Sequence, residues 1–547
     1  MTEIVAPALS THQDDNTFTY DKYQDKQKDR SYLGPNWNDE QSLREKLIEF
    51  YSIDELVVHL GQRASDGSFK FKKITLQFPD SLVADAAIVV QLLQEKLGNA
   101  SKAQDNTQQV WILADTAYSP CCIDEVAAEH VLSDIVVHFG DACMNAIQKL
   151  PAVYVFGKPY LDIDTIVGKF KATYPNESSK VVLMADTSYS RHLPELFNIL
   201  KETYKDVAYA DISPERASNA KIIGFKSTNQ EGSIRFSNRK LITSSDEALE
   251  DENLQDYALF HISTPEPPHL LYLSTKFGSV TLFDTINNSI NQGPFPSLMK
   301  RYRYMHIART AGTIGILVNT LSLRNTTEVI NKVSRKIKEA DKKYYMFVVG
   351  KPNVAKLANF ESIDVWCILG CGQGGIIVNN NNDFFKPIIT PYELEMALSP
   401  EVQWTGKWVT EFENVINDEE SNEDSEASTS LDDTNSPTLE GEDEAPEFNA
   451  VTGKYVSNSR PMRQIQHLEI DAVDSTVEQE NQLVKKFSQA VAIKGTVSTS
   501  AIHLQNREWT GLGSDFVDND VDDEGALVED GRGGIARGYD FDVKGSY

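Results

Sequence analysis

The sequence has no long hydrophobic run, no targeting signal at its start and few cysteines. In its 547 residues, no apolar stretch approaches the ~20 residues of a membrane-spanning helix. The opening MTEIVAPALS lacks the basic start and apolar core of a signal peptide. We therefore expect a cytoplasmic protein. Thiols stay reduced in that compartment, so the five cysteines should be buried, catalytic or metal-binding rather than disulfide-bonded.

Basic residues are absent from one acidic segment. Between Asn417 and Glu447 there are 13 Asp or Glu and no Lys or Arg, which is nearly half of the net charge of −29. We interpret the segment as a disordered linker, because its composition cannot bury enough apolar surface to offset the entropy of ordering. The acidic balance of the rest argues against nucleic-acid or anionic-membrane binding and is compatible with a basic partner.

Hydrophobic strands alternate with helices through the middle of the chain. The first block comprises strand KITLQF, a helix, strand VWILAD, a helix and strand IVVHF, which is typical of a parallel sheet with helices on both faces. Similar blocks begin near Pro151 and Asp256. ADTAYS at 114–119 reappears as ADTSYS at 185–190, although strand-to-helix turns favour these residue types in any case. The sequence predicts an α/β protein with three parallel-sheet domains.

The predicted division of the chain follows these blocks and the polar ends. Its segments are a flexible, disordered N-terminal arm (1–37), α/β domain 1 with Cys121, Cys122 and Cys143 (38–150), α/β domain 2 (151–255), α/β domain 3 with Cys371 (256–412), and an acidic linker with a C-terminal extension (413–547). For the extension, both docking on the body and a mobile tail stay open.

Cysteines stand in three loops that follow predicted strands. Cys121 and Cys122 follow VWILAD, Cys143 follows IVVHF, and Cys371 follows DVWCILG. Loops after the strands of a parallel sheet lie on one rim, where ligands usually bind. If the first two strands are neighbours, they lie ~4.8 Å apart and their loops can reach one point. Cys367 lies inside a strand, and we interpret it as a buried small hydrophobic residue.

Together these positions predict a thiolate site, although any one buried cysteine could be structural. Zinc is one candidate, but structural zinc sites usually show local C-x₂₋₄-C pairs and four ligands. The other is an iron–sulfur cluster held by three thiolates with one open iron, since cysteine is the usual ligand of such clusters. The spacing alone does not decide between them.

Two stretches resemble a known family. LADTAYSPCCIDEVAAEHVLSDIVVHFGDAC, and IITPYELEMAL with the strand and Cys371 before it, are similar to the diphthamide synthesis subunit family. The resemblance covers roughly residues 38–412, and the ending GLGSDF…GIARGYDFD is similar as well. It implies three Rossmann-like domains around a 4Fe-4S cluster. Catalytic members move the 3-amino-3-carboxypropyl group of S-adenosylmethionine to a histidine of elongation factor 2, the first step of diphthamide synthesis.

The same resemblance implies partners and ligands. In eukaryotes the work is done by a heterodimer with diphthamide biosynthesis protein 1. A small iron-carrying electron donor, diphthamide biosynthesis protein 3, and its reductase supply electrons. On this basis Cys122, Cys143 and Cys371 are the expected cluster ligands, with Cys121 as the alternative to Cys122.

The chain departs from the catalytic pattern, in which each domain carries one cluster cysteine. No cysteine lies between Cys143 and Cys367, and IIGFKST, with Phe225, stands where the middle cysteine is expected. Cys143 would then supply the third thiolate. The departure argues against catalysis by this chain alone and indicates an accessory subunit whose cluster assists reduction of the partner's cluster. The alternatives are a zinc-stabilised or metal-free scaffold and a metal-free nucleotide-binding α/β enzyme.

Overall fold

Three large β-sheets and two short two-stranded hairpins occur in the part of the chain that the structure describes. The computed structural model describes residues 30–34, 39–65, 67–100, 108–114, 119–213, 220–228, 232, 234–244, 251–295, 298–320, 322–378, 383–399, 406–417, 447–449, 454–456, 459–462, 492–493 and 496–497. Residues 1–464 form one unit and 465–547 a second. In the second unit, the described residues form a short antiparallel hairpin of Ala492–Ile493 with Thr496–Val497.

The elements of the first unit are numbered along the chain. The strands are β1 (Lys73–Gln77), β2 (Gln109–Ile112), β3 (Ile135–Phe139), β4 (Ala152–Val155), β5 (Val181–Ala185), β6 (Val207–Ile212), β7 (Ala220–Ile223), β8 (Arg235–Phe236), β9 (Arg239–Thr243), β10 (Ala258–Ile262), β11 (Ser279–Asp284), β12 (Ser289–Asn291), β13 (Thr313–Val318), β14 (Lys343–Val348), β15 (Val365–Leu369), β16 (Ile388–Ile389), β17 (Glu447–Asn449) and β18 (Lys454–Val456). The α-helices are α1 (Glu40–Phe50), α2 (Ile53–Leu60), α3 (Ala86–Ala100), α4 (Glu125–His130), α5 (Ile163–Thr173), α6 (Leu193–Leu200), α7 (Pro267–Lys276), α8 (Leu298–Thr310), α9 (Thr326–Glu339), α10 (Val354–Ala358), α11 (Pro391–Leu398) and α12 (Phe412–Asn417). Short 3₁₀ helices cover Ser31–Leu33, Asp80–Asp85, Ser190–His192 and Asp251–Asp256.

The first sheet is parallel throughout, in the order β2–β1–β3–β4–β7. All five residues of β3, IVVHF, are buried, as expected for a strand covered on both faces. Helices α1 to α3 cover one face, where Leu47, Ile53 and Val89 pack with Ile74 and Val137. The continuous apolar run IVVHF is therefore an inner strand of a parallel sheet.

The second and third sheets are built in the same way. The second has the order β12–β11–β10–β5–β6–β9–β8, with a parallel centre from β11 to β6 and antiparallel strands at its edges. The third is parallel, in the order β14–β13–β15–β16. Three mostly parallel sheets confirm the predicted α/β class.

The sheets do not follow the predicted ranges one for one. Strands β4 and β7 lie within 151–255 and pair in the first sheet, while β10 to β12 lie after 256 and pair in the second. Parallel pairing requires long crossovers, so a strand's partner need not be its neighbour in sequence. The domain boundaries at 150 and 255 stay predictions.

Residues 30–34 belong to the predicted N-terminal arm, but they pack against the helical layer of the first sheet. The buried carboxylate of Asp85 accepts hydrogen bonds from Arg30 Nε at 2.7 Å and from the Tyr51 hydroxyl at 2.9 Å, and a further bond from the Tyr32 hydroxyl. A buried carboxylate requires such donors, which explains why the chain is held here.

Several predictions fall on other parts of the chain. Residues 1–29 and 35–37 of the arm, the acidic residues 418–446, the predicted helix LVKKFSQAVA except its last residue, Ala492, and the GLGSDF…GIARGYDFD ending lie outside the described residues. Within the described part, no helix is both long and apolar enough to span a bilayer.

A buried ion pair joins α8 to α11 in the third sheet's helical layer. Arg301 Nε lies 2.7 Å from Glu393 Oε1, and its Nη2 bonds the other carboxylate oxygen. Trp408 Nε1 donates to Glu393 Oε1 at 2.9 Å, and the Thr390 N–H donates to Oε2 at 2.7 Å. Both charged side chains are at most 2% exposed. Each buried charge therefore needs the other as its counter-charge.

We expect Glu393→Gln to lower the free energy of unfolding strongly. The change leaves the buried guanidinium of Arg301 without a counter-charge, a situation that costs about 3–5 kcal/mol. The matched control is Glu339→Gln, which removes an ion pair with Arg335 in which both side chains are 56% exposed, and which should cost less than about 0.5 kcal/mol. Chemical denaturation of both variants measures the difference, and equal small losses would contradict the assignment.

Candidate metal centre

The paired-cysteine loop is held by side chains from two strands. Gln77, the last residue of β1, donates from Nε2 to the Cys122 carbonyl at 2.7 Å and accepts the Asp124 N–H at 3.0 Å. His138 in β3 places Nε2 3.0 Å from the Pro120 carbonyl oxygen. Asp124 in turn caps α4, so the loop runs directly into a helix. These contacts fix the loop between strand and helix.

The strands before the first two cysteine loops are not neighbours in the sheet. Strand β1 lies between β2 and β3, because the chain crosses to the sheet edge at β2 and then returns past β1. The two cysteine loops nevertheless meet, because the Cys143 N–H donates to the Cys121 carbonyl at 3.0 Å.

Cys371 stands on a tight turn after β15. Its carbonyl accepts the Gly375 N–H at 2.8 Å, and the Gly375 carbonyl accepts Asn319 Nδ2 at 2.7 Å. A Cβ atom at Gly370 would lie 2.4 Å from the Gly375 carbonyl oxygen, so this turn can close only around glycine. The GQGG stretch thus shapes the backbone around a cysteine.

Four sulfur atoms converge where these loops meet. Cys121 Sγ lies 3.9 Å from the sulfurs of both Cys122 and Cys371, and Cys122 Sγ lies 3.7 Å from that of Cys143. All four lie within 4.8 Å of one another, and each residue is at most 6% exposed. The three expected ligands are therefore brought together, and Cys121 joins them. Cys367 is fully buried within β15 and is not part of this group.

The thiols differ in their electrostatic setting. The pKa of Cys371 is held well below its usual range, because the other three thiols donate hydrogen bonds to its sulfur and the Gln373 N–H does so at 3.4 Å. The pKa of Cys122 is raised well above its usual range by its hydrogen bonds to the neighbouring thiols and by burial. The group thus favours one thiolate, the form that binds metals.

A polar cavity borders the centre on the side of Cys143 and Cys371. Its volume is about 270 Å³. Charged side chains of both signs line it, namely Arg235, Arg239, Arg324, Glu411 and Glu413. The cavity can hold a small polar ligand beside two of the four thiols.

The sequence did not predict a polar link between three loops, one from each sheet. Asp141 Oδ1 accepts the N–H and the hydroxyl of Thr187, each at 2.7 Å, and its Oδ2 accepts Gln373 Nε2 at 2.9 Å. Thr187 follows β5 of the second sheet, and Gln373 is two residues after Cys371. The repeated ADTSYS motif, which contains Asp186 and Thr187, was the signal that could have found this link.

Asp186 lies in the same polar region. Burial, with the negative charge of nearby Asp141, raises the pKa of Asp186 to about 8. The hydroxyl of Ser263 donates to Asp186 Oδ2, and the imidazole of His261 lies 3.9 Å from Oδ1. The carboxyl group is therefore expected to keep its proton near neutral pH.

Fold and centre together define an α/β protein with a buried four-thiol site, and comparison with known proteins gives its family. The family model "Putative diphthamide synthesis protein" matches residues 78–409. A Debaryomyces hansenii protein named 2-(3-amino-3-carboxypropyl)histidine synthase subunit 2 is 50% identical, with 98% of each chain covered. Subunit 2-2 of that synthase from Candida albicans is 52% identical, over 98% of this chain and 99% of its own. The chain belongs to the diphthamide synthesis protein family.

A solved structure is also similar. The crystal structure of Dph2 from Pyrococcus horikoshii with 4Fe-4S cluster aligns with a TM-score of 0.47 at 15% identity. The alignment covers 65% of this chain and 93% of that one.

We expect Asp186→Asn to flatten part of the pH dependence of stability. An aspartate in an unfolded chain has a pKa of about 3.9, so between that pH and about 8 the folded chain holds a proton that the unfolded chain has lost. The stability of the wild-type protein therefore falls across this window as pH rises. Asparagine stays neutral, so the free energy of unfolding of the variant should rise relative to that of the wild type as the pH increases from 5 to 8. Unfolding midpoints of both proteins measure this difference.

The matched control is Asp164→Asn at an exposed position in α5. It should keep the wild-type pH dependence. A constant difference between Asp186→Asn and the wild type at all pH values would contradict a raised pKa.

Proposed function

We propose that this chain is the second subunit of a heterodimeric transferase of diphthamide synthesis. The enzyme would take the 3-amino-3-carboxypropyl group from S-adenosylmethionine and attach it to a histidine of elongation factor 2, with diphthamide biosynthesis protein 1 as the partner. The observation that supports this most is the buried group of four thiols in a chain of this family. The name shared by its relatives describes the same product.

The donor set fits an iron–sulfur cluster. Cys122, Cys143 and Cys371 would hold it, since thiolates are the usual ligands of such clusters. Asn145 Nδ2 lies 3.5 Å from Cys371 Sγ, and hydrogen bonds to sulfur are among the features that set a reduction potential. When bound, a cluster supplies one-electron chemistry. In this proposal the chain assists reduction of the partner's cluster with electrons from diphthamide biosynthesis protein 3 and its reductase.

Phe225 supports an accessory role. By the family resemblance it takes the place of the middle cysteine, and its ring packs edge-to-face on Phe156 with centroids 6.2 Å apart. An aromatic side chain in a hydrophobic cluster cannot serve as a ligand. The chain is therefore proposed not to transfer the group by itself.

The sulfur spacing favours a second candidate, a zinc-stabilised scaffold subunit without a redox role. In a tetrahedral site with Zn–S bonds of about 2.3 Å, the sulfurs lie ~3.8 Å apart. Three of the separations here are 3.7, 3.9 and 3.9 Å, and all four sulfurs lie within 4.8 Å of one another. A 4Fe-4S cluster places iron and sulfide between the thiolates, so the loops would have to open to admit it. Four thiolates also satisfy a closed structural zinc site.

Metal content of the anaerobically purified chain separates the two candidates. We expect a brown protein with broad visible absorption, bound iron and sulfide. Cys371→Ser should remove most of the iron, because a hydroxyl is a poor substitute for a thiolate. Cys367→Ser, which changes a buried thiol outside the group, is the control and should retain it. A colourless protein with stoichiometric zinc would favour the scaffold, and full iron retention in Cys371→Ser would rule out the ligand assignment.

The heterodimer should reveal the division of labour. With dithionite, which can reach the partner's cluster directly, ligand variants of this chain such as Cys371→Ser should retain much of the transferase activity. With the iron-carrying donor protein and its reductase, the same variants should slow sharply. The measurement is product formed on purified heterodimer with matched occupancy of the partner's cluster.

Two results would change this assignment. Loss of single-turnover product even with dithionite would make the site directly catalytic. Equal activity of variant and wild type with both reductants would mean that this chain is only a structural scaffold for its partner.

A further inference from the structure

We infer that Cys121 is a fourth thiolate ligand, so that the cluster held by this chain has no open iron and carries electrons without binding S-adenosylmethionine. This inference rests on the iron–sulfur role proposed above. It replaces the choice between Cys121 and Cys122 by a site in which both neighbours bind.

Cys121 connects the sulfurs of the first and third sheets. Its Sγ atom makes the 3.9 Å contact with Cys371, whereas Cys122 makes the 3.7 Å contact with Cys143. A set of three ligands without Cys121 would omit the sulfur that lies against the third-sheet loop. All four sulfurs are equally members of one group, within 4.8 Å.

The backbone explains how two neighbours can face one point. Successive side chains of a strand point to opposite faces, but here the chain turns, with the Cys122 N–H donating to the Ser119 carbonyl at 3.0 Å. The Cys121 carbonyl accepts the Cys143 N–H, and the Cys122 carbonyl accepts Gln77. Both carbonyl oxygens therefore accept hydrogen bonds from N–H groups outside the group of sulfurs. Both cysteines are buried, at 6% and 2% exposure.

The corner at Cys121 has little room for a substrate among the described residues. A Cβ atom at Gly374 would lie 2.5 Å from Ser119 Oγ and 3.3 Å from Cys121 Sγ, so backbone and hydroxyl already close this side. The polar cavity borders Cys143 and Cys371 instead.

A four-thiolate site limits the chemistry to electron transfer. Each thiol gives up its proton when its sulfur bonds iron, and no iron keeps an exchangeable position. S-adenosylmethionine then has no metal to chelate. The site can take one electron from a reductant and pass one electron to the partner's cluster, with no bond made or broken on a substrate.

Oxidative loss of iron tests the fourth ligand directly. With ferricyanide as oxidant, a 4Fe-4S cluster that has an open iron releases that iron as Fe²⁺, gives one electron to the oxidant, and becomes a paramagnetic 3Fe-4S cluster. The full-length chain, purified anaerobically, is compared as wild type, Cys121→Ala, Cys121→Ser and the control Cys367→Ala. Electron paramagnetic resonance measures the yield of 3Fe-4S clusters per bound cluster, and circular dichroism checks folding.

We expect the wild type and Cys367→Ala to give a several-fold lower yield than the Cys121 variants. S-adenosylmethionine, added to the dithionite-reduced samples, should change the spectrum of the Cys121 variants and leave the wild type unchanged. Folded Cys121 variants that lose their iron altogether also support a ligand role. A wild-type yield equal to that of the variants, or a wild-type spectrum altered by S-adenosylmethionine, overturns the inference while the iron–sulfur role stands. A wild type without iron overturns both.

Discussion

Four buried sulfur atoms, packed against one another, constrain the loops at the centre of this chain. Each sulfur needs a partner, and here the partners are mainly the other three. The pKa of Cys371 is lowered because the surrounding thiols donate to it, so the group already favours the charge state that a soft metal requires. The loops can be brought this close because Gly370, Gly374 and Gly375 leave space where any side chain would collide.

The three sheets contribute unequally to the centre. The first supplies three of the thiols, the third supplies Cys371, and the second supplies Thr187, which reaches the centre through Asp141. That carboxylate also bonds Gln373, so one side chain connects loops from all three sheets. The second sheet thus helps to position the loops of the site, whereas Phe225, which follows β7 of the first sheet, packs among hydrophobic side chains.

The inner strands could be predicted from the sequence because burial on both faces leaves a continuous apolar run. IVVHF and DVWCILG are such runs, and they became β3 and β15. The strand order could not be predicted in this way, since a buried run does not indicate its neighbour, and β1 was found between β2 and β3. The end of α4 could not be predicted either: the stretch IDEVAAEHVLSD predicts a helix as far as Asp134, but α4 stops at His130, and Leu132 adopts a positive φ of 56°.

At the site, the sequence predicted which loops carry thiols but not how many thiols meet. In an extended backbone, the side chains of two adjacent cysteines point to opposite faces. A CC pair therefore suggests one ligand and one cysteine that does not bind. The turn at Ser119 that directs both sulfurs inward depends on hydrogen bonds from Gln77 and Cys143, which are distant in sequence. The role of Asp141 was hidden for the same reason, because its partners lie on the other two sheets.

The contact between Cys121 and Cys371 joins positions 250 residues apart. During synthesis, the first sheet's three thiols leave the ribosome long before the fourth is made. Until the third sheet folds against them, they form an incomplete chelate that any thiophilic ion or oxidant can reach. A four-thiol site can therefore be complete only once β15 and the loop after it have been made, and a chain truncated before that strand could not close the centre.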